Sequence, residues 1–487
     1  MAETTSPPAP IEASILPPII QGGMGAAISS WPLARAVAKL GQLGVVSGVA
    51  LDLLLVRRLQ DGDPGGHCRR ALAAFPFPAM AQRVLDQFFR PEGRLPDEPY
   101  KPISMINHNG PIEAIERCIV GNFVEVWLAM EEETGPIGIN YLEKIQTPHL
   151  ASVYGAMLAG VTCILMGAGI PREIPGVLNR FVRHESAAYT LKVVGASCAE
   201  MVQMTFDPRF FMERDLPPLR RPAFLPIVAS NVLATTLARK STGTIDGFII
   251  EGPTAGGHNA PPRGTMALSA SEEPIYGKRD IVDLEAIRAL GLPFWIGGGM
   301  ARPEKLRAAL AAGARGIQVG TAFALCDESG LEPRYRKQIL DLVRRREARV
   351  FTDPVASPTG FPFKVALVPG TMSDPDRYAE RTRVCDLGYL REAYRRADGS
   401  TGFRCPAEPV EAFVAKEGDQ RETLGRKCLC NALMANIGMG QVRSNGYREL
   451  PLITCGDDLA EIDRFLQPDR PGYTAKDVID SLLPGLA

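Results

Sequence analysis

Short apolar runs alternate with segments of helical period from the start of the chain to about Leu325. Eight of these runs read as buried strands: Ile19-Ile20, Leu43 to Ser47, Pro136 to Tyr141, Val161 to Met166, Phe224 to Ser230, Asp246 to Glu251, Phe294 to Ile296 and Ile317 to Val319. Most are followed by a loop and a helix-period segment, so the repeated βα order predicts a closed parallel sheet, an α/β fold of the (β/α)8 TIM-barrel type. Ser29-Ser30 stands where a cap belongs for a helix through Leu40. Pro303 opens another helix, with Leu306, Ala309 and Leu310 on one face and Gly313 at the C-terminal cap. More chain than a βα unit needs lies between Ala50 and Gly135, and again between Arg183 and Pro222; both stretches are expected to be helical or hairpin insertions.

Beyond Asp327 the pattern changes. Arg334 to Arg349 reads as a basic helix with a solvated face, Thr352 to Pro375 as a long irregular segment, and Val410 to Gly440 as helical again. The expected organisation is a disordered lead over residues 1–16, a barrel with insertions over 17–327, and a mostly α extension over 328–487 packed on the barrel. A chain of 487 residues, 45% hydrophobic and 22% charged, has material for such a core. Lys plus Arg (54) nearly balance Asp plus Glu (55), so no global field favours nucleic acid or an anionic membrane, and a small-molecule partner is expected. The lead has neither a basic start nor an apolar signal-peptide core, and the most apolar window, Leu43 to Val56, is short and interrupted by Asp52. A soluble cytoplasmic protein is the expectation, with assembly into a homo-oligomer left open.

Two glycine-rich loops carry the first chemical signal. Gly297, Gly298 and Gly299 follow one strand candidate, and Gly320-Thr321 follows the next after a single helix. Bare backbone lets amides approach a ligand closely, and in a barrel the loops after strands 7 and 8 commonly hold phosphate. A third element, Ile249-Ile-Glu-Gly-Pro-Thr-Ala-Gly-Gly-His258, ends a strand in a glycine pair and a histidine. An imidazole with an ordinary pKa near 6.5 accepts a proton at neutral pH, which suits abstraction from an acidic carbon. Gln21-Gly-Gly-Met-Gly25 follows the first strand; as a dinucleotide fingerprint it lacks the third glycine, which weakens a doubly wound alternative. Glu251 to Arg263 contains no Cys, against a barrel that uses a thiol nucleophile there. Of ten cysteines, most stand alone in apolar surroundings, as Cys163 and Cys198 do. The set Cys405, Cys428, Cys430 and Cys455 departs from common metal-ligand spacing, so buried free thiols and no metal are expected.

The order Gln21-Gly-Gly-Met24, Gly138-Ile-Asn140, Gly256-Gly-His258, Gly297-Gly-Gly299 and Gly320-Thr321 resembles the nitronate monooxygenase family, also called 2-nitropropane dioxygenases, from about Pro17 to Leu325. That resemblance implies an FMN-dependent barrel. Gly22, Gly23 and Met24 would lie against the flavin and Asn140 would contact it. Gly256 and Gly257 would flank it, while Gly297, Gly298, Gly299, Gly320 and Thr321 would bind its phosphate, with His258 as catalytic base. The implied reaction oxidises alkyl nitronates, or nitroalkanes after deprotonation, with dioxygen. Three features depart from the family: Ala229-Ser230 where a Lys is usual, the replacement near Thr235 of a second pocket His, and a long loop from Pro261 to Asp280. The extension is similar to that of the trans-acting enoyl reductases of polyketide and polyunsaturated fatty acid synthesis, the principal alternative, with an acyl carrier protein as partner. A non-enzymatic barrel binding a phosphorylated metabolite is the second alternative.

Overall fold

The computed structural model describes residues 6–132, 135–197 and 200–484. Eight parallel strands ring the molecule: β1 (Ile19–Gln21), β2 (Gly44–Ser47), β3 (Ile137–Leu142), β4 (Cys163–Gly167), β5 (Ala223–Val228), β6 (Phe248–Glu251), β7 (Phe294–Gly297) and β8 (Gly316–Val319). Each pairs with its sequence neighbour, and β8 returns to β1 with Ile19 opposite Ile317. Between β1 and β2 the ring closes through Gln21 N–H to Leu43 O (3.0 Å) and Leu43 N–H to Ile19 O (3.1 Å). All eight strands coincide with the runs expected from the sequence.

The strands read as continuous apolar runs because both of their faces are buried. Val45, Leu165, Leu225, Ile249 and Trp295 pack together, as do Val46, Ile164, Phe224, Ile250 and Phe294 in the larger cluster that includes the helices. These alternate one for one along their strands, as side chains on a pleat must. Ile11, Ala13 and Leu16 join the inner cluster, and Ile11 N–H bonds Arg221 O. The lead expected to be disordered to residue 16 is therefore packed from Ile11 onward, where apolar side chains plug the barrel floor. Trp295 is wholly buried there and donates its indole N–H to Pro17 O at 3.0 Å, joining floor to barrel.

Between β2 and β3 the first insertion supplies the helices Leu51–Gln60, His67–Ala73, Pro78–Phe88 and Ile112–Met130. The second, between β4 and β5, contains the antiparallel pair Ala187–Leu191 and Val202–Phe206; Cys198 lies outside the described residues. Several local expectations need correction. Ser30 precedes the helix Trp31–Lys39 but makes no side-chain cap; Ser29 Oγ instead accepts from Met24 N–H at 2.7 Å, and Glu125 accepts from Trp31 N–H. In Pro303–Ala311, Leu306 and Ala309 are buried while Leu310 is 46% exposed, so the apolar face is narrower than the period suggests.

The extension carries helices Pro333–Arg344, Leu429–Asn436 and Ala475–Leu482, together with two hairpins, Val350–Asp353 with Phe363–Ala366 and Glu392–Arg395 with Thr401–Arg404. The first hairpin occupies part of the segment expected to be irregular. The stretch Val410 to Gly440, expected to be helical, is broken into Val410–Ala415, the short 3-10 helix Gln420–Thr423 and Leu429–Asn436, and Gly425, at φ 70°, turns the chain before the last of them. Among the described residues no helix is long and apolar enough to cross a membrane.

Candidate active site

The C-terminal ends of the strands surround a cavity of about 210 Å³, roofed by the extension. Every residue proposed from the sequence as cofactor-binding or catalytic lines it: Gly22, Gly23 and Met24 after β1, Asn140 in β3, Gly256, Gly257 and His258 after β6, Gly297 to Gly299 at the end of β7, and Gly320-Thr321 after β8. Thr235 does not line it. Barrel geometry accounts for the convergence, since loops leaving the same rim meet although their residues are scattered along the chain.

Gly23 sits so close to Asn140 that a Cβ there would fall 1.8 Å from Asn140 Oδ1. That oxygen is buried and has no hydrogen-bond partner, an unmet acceptor facing a bare stretch of backbone. Gly298 (φ 96°) and Gly299 (φ 60°) hold left-handed conformations that a residue with a side chain adopts at a cost. Gly320 differs: a Cβ built on it would meet only Met24 Sδ, at 3.6 Å, so the protein itself leaves room for a side chain. The FMN implied by the resemblance fits this arrangement. An orphaned amide oxygen can accept from the edge of a flavin ring, and open backbone at Gly298, Gly299 and Gly320 forms a cradle for a phosphate.

The glycine pair before His258 has a different use from the one expected. A Cβ on Gly256 would lie 2.9 Å from the backbone of Cys455 and Gly456, while Gly257 N–H donates to Thr454 Oγ1 at 2.7 Å. Missing side chains here admit the extension as well as lining the cavity. Gly456 N–H in turn donates to Thr321 Oγ1 at 2.9 Å, and Asp458 also bonds the Thr321 side chain. Burial holds the Asp458 carboxyl above the ordinary range.

His258 is held by the extension. Its Nε2 lies 2.7 Å from Ser357 Oγ, which is 2.8 Å from Thr359 Oγ1, and its ring meets Phe363 edge-on at 4.8 Å. Burial, assisted by the nearby Lys144 ammonium, lowers its pKa to about 4. The ordinary value expected from the sequence is thus corrected: a half-buried imidazole, desolvated within the cavity and beside a cation, does not easily carry charge. Lys144 follows β3, so a cation faces the histidine although Ala229-Ser230 supplies none; Ser230 caps the helix Asn231–Lys240. Glu251, also lining the cavity, has its pKa raised to about 8 by burial.

Sequence reasoning missed Glu251, Ser357, Tyr389 and Asp458. Glu251 had a signal, a carboxyl at the C-terminal end of an otherwise apolar barrel strand. Ser357 had none, because it meets His258 across 99 positions. Tyr389 forms part of the roof and donates its hydroxyl to Asp52 Oδ1 at 2.7 Å. Among the described residues, no group of three or more His, Cys, Asp or Glu side chains is arranged to hold a metal ion.

Part of the chain is similar to known proteins. Residues 175–355 match the family model for nitronate monooxygenase. A probable nitronate monooxygenase of Bacillus subtilis is 32% identical over 133 residues, 26% of this chain and 36% of that protein. The nitronate monooxygenase of Pseudomonas aeruginosa is 34% identical over 137 residues, 27% of this chain and 36% of that protein. The aligned stretch therefore spans about a third of the length of these curated relatives. The structure of FabK from Thermotoga maritima aligns over 97% of this chain and 92% of its own, at 17% identity and a TM-score of 0.46. Over residues 175–355, which contain β5 to β8, the Gly-Gly-His element and both glycine-rich loops, the chain matches the nitronate monooxygenase family.

Proposed function

We propose that the chain is an FMN-dependent oxidoreductase that oxidises alkyl nitronates, or nitroalkanes after deprotonation, with dioxygen. One observation carries the reading: a single cavity joins an unpartnered Asn140 acceptor, two bare glycine loops and a neutral histidine. Gly22, Gly23 and Met24 would form one wall against the flavin, Asn140 would bond its edge, and Gly297 to Gly299 with Gly320-Thr321 would enclose its phosphate. Bound there, FMN would supply the transfer of electrons from substrate to dioxygen.

The protein's own contribution is positional and protonic. Above about pH 4 His258 is neutral, so a lone pair is available throughout the physiological range. When Nε2–H donates to Ser357 Oγ, the lone pair resides on Nδ1, and the Ser357 hydroxyl, itself in contact with Thr359 Oγ1, holds the ring in place. A neutral nitroalkane would lose its α-proton to this nitrogen. An anionic nitronate needs no such step and would be drawn by the charge of Lys144, one source of positive potential beside the histidine. The half-buried, protonated Glu251 adds no negative charge below about pH 8.

A specific feature favours a second reading. Leu142, Ile145, Leu390, Leu429 and Leu433 give the cavity an apolar wall larger than a short nitroalkane needs, and such a wall suits an acyl chain. This supports a trans-acting enoyl reductase fed by an acyl carrier protein. Dioxygen uptake by the FMN-reconstituted chain separates the two. Uptake with an alkyl nitronate and without NADPH supports the first; no uptake, with NADPH-dependent reduction of an unsaturated thioester, establishes the second.

A further inference from the structure

Four cysteines converge behind the roof. Cys385, Cys405, Cys428 and Cys430 line one small cavity together with Leu387, Leu390 and Leu429. Cys455, grouped with this set on sequence grounds, lies instead at the main cavity, and Cys385 takes its place. The cavity is about 10 Å³, room for about one water molecule and nothing larger, so it does not house a cofactor or cluster.

The four sulfurs are not equivalent. Cys428 accepts from the backbone and side chain of Asn431, and Cys430 from the backbone N–H groups of Tyr389 and Leu390. The free thiols of Cys385 and Cys405 lie close enough in this lining to influence each other's ionisation. Cys385 and Cys430 are partly exposed whereas Cys405 and Cys428 are buried, and of the two exposed thiols Cys430 is held above its ordinary range by burial. The neighbouring Cys405 thiol is the main influence holding the Cys385 thiol below its ordinary range, with Arg391 acting alongside it; burial and the Glu408 carboxylate, which is paired with Lys416 at 2.6 Å, act the other way, and the same neighbour together with burial holds Cys405 above its range. Arg391 donates to the carbonyl oxygens of Gly388 and Ile106, which leaves its positive charge uncompensated by those partners. One thiol is thus accessible and disposed to ionise, and its neighbour is shielded and within bonding reach, the division of labour between an attacking and a resolving cysteine.

We propose that Cys385 and Cys405 form a redox-active dithiol that reacts with hydroperoxides. The Cys385 thiolate attacks the peroxide oxygen, breaks the O–O bond and becomes a sulfenic acid while water leaves, or an alcohol in the case of an alkyl peroxide. Cys405 then attacks the sulfenic sulfur, a second water leaves, and the disulfide forms; two thiols have lost two electrons and the peroxide has gained them. The bond would tie the segment before Tyr389, which roofs the main cavity, to the end of the strand Thr401–Arg404. Nothing in this step depends on the oxidoreductase activity proposed above.

The full chain should be exposed to hydrogen peroxide, alkylated, digested and mapped by mass spectrometry. The expected product is one cross-link between the Cys385 and Cys405 peptides, with the titrated thiols of the denatured chain falling from ten to eight and restored by dithiothreitol. In Cys405→Ser, dimedone should trap a sulfenic acid at Cys385, whereas Cys385→Ser should keep all nine remaining thiols. An unchanged thiol count in wild type, a cross-link between other cysteines, or stoichiometric zinc or iron on these thiols overturns the proposal. The wild-type map decides the matter even where a variant fails to fold.

Discussion

The base assigned to His258 makes an unusual demand on pH. Burial and Lys144 lower its pKa from 6.5 to about 4, so roughly 3 kcal/mol opposes the imidazolium relative to a free histidine. The neutral ring is the reactive form, and activity is lost as pH falls through the folded pKa. At pH 5.5 an ordinary histidine would be roughly one-tenth in its base form, whereas this one would remain almost wholly so. The assay is kcat/KM for a neutral nitroalkane between about pH 3.5 and 9, beside the same profile for its preformed nitronate. The account expects an acid limb near 4 for the nitroalkane alone. His258→Ala should lower nitroalkane turnover by about 100-fold and spare the nitronate, with flavin content unchanged; Ser357→Ala, which removes the hydroxyl that holds the ring, should lower it by about tenfold. An acid limb near 6.5, or equal nitroalkane turnover by wild type and His258→Ala at full flavin occupancy, would refute the reasoning.

Gly320→Asp should fold normally, because only Met24 Sδ borders the added Cβ, yet should lose flavin through crowding and charge repulsion; retention of full flavin in a dialysed sample would remove Gly320 from the phosphate cradle. Asp458→Asn should tighten flavin binding by about tenfold, measured by fluorescence quenching, since a carboxyl beside Thr321 opposes an anion; weaker binding would show that the carboxyl instead organises the site. The flavin-free protein should lose about 2 kcal/mol of stability between pH 6.5 and 8, by denaturant titration. Glu251 keeps its proton to about pH 8 when folded, so its contribution is present below the unfolded carboxyl pKa and is lost as pH rises. Between 4.5 and 6.5 the opposite shift of His258 offsets it, because a histidine held neutral loses stability as pH falls. Glu251→Gln should abolish the alkaline decline.

The barrel was legible because each strand is buried on two faces and ends at a loop, so runs such as Val161 to Met166 stand out without an alignment. The glycine loops were legible for a related reason: Gly298 and Gly299 need conformations that other residues avoid. What escaped was long-range. Ser357 reaches His258, and Gly456 reaches Thr321, through an extension whose hairpins are short and rich in turns, and local periodicity carries no information about where such pieces dock. The burial that lowers the His258 pKa is likewise a product of Phe361 and Phe363 arriving from a distant hairpin. Leu310 shows the converse limit, since helical period placed it on a buried face that the neighbouring elements do not extend far enough to cover.

The most direct test of the central claim is an anaerobic mixing experiment on the FMN-loaded chain, with an alkyl nitronate as the sole reductant and the visible flavin absorbance as the readout. The account predicts that the yellow absorbance bleaches within the turnover time and returns when dioxygen is admitted, with FMN recovered intact after heat release. An absorbance unchanged by nitronate but bleached by NADPH would contradict it.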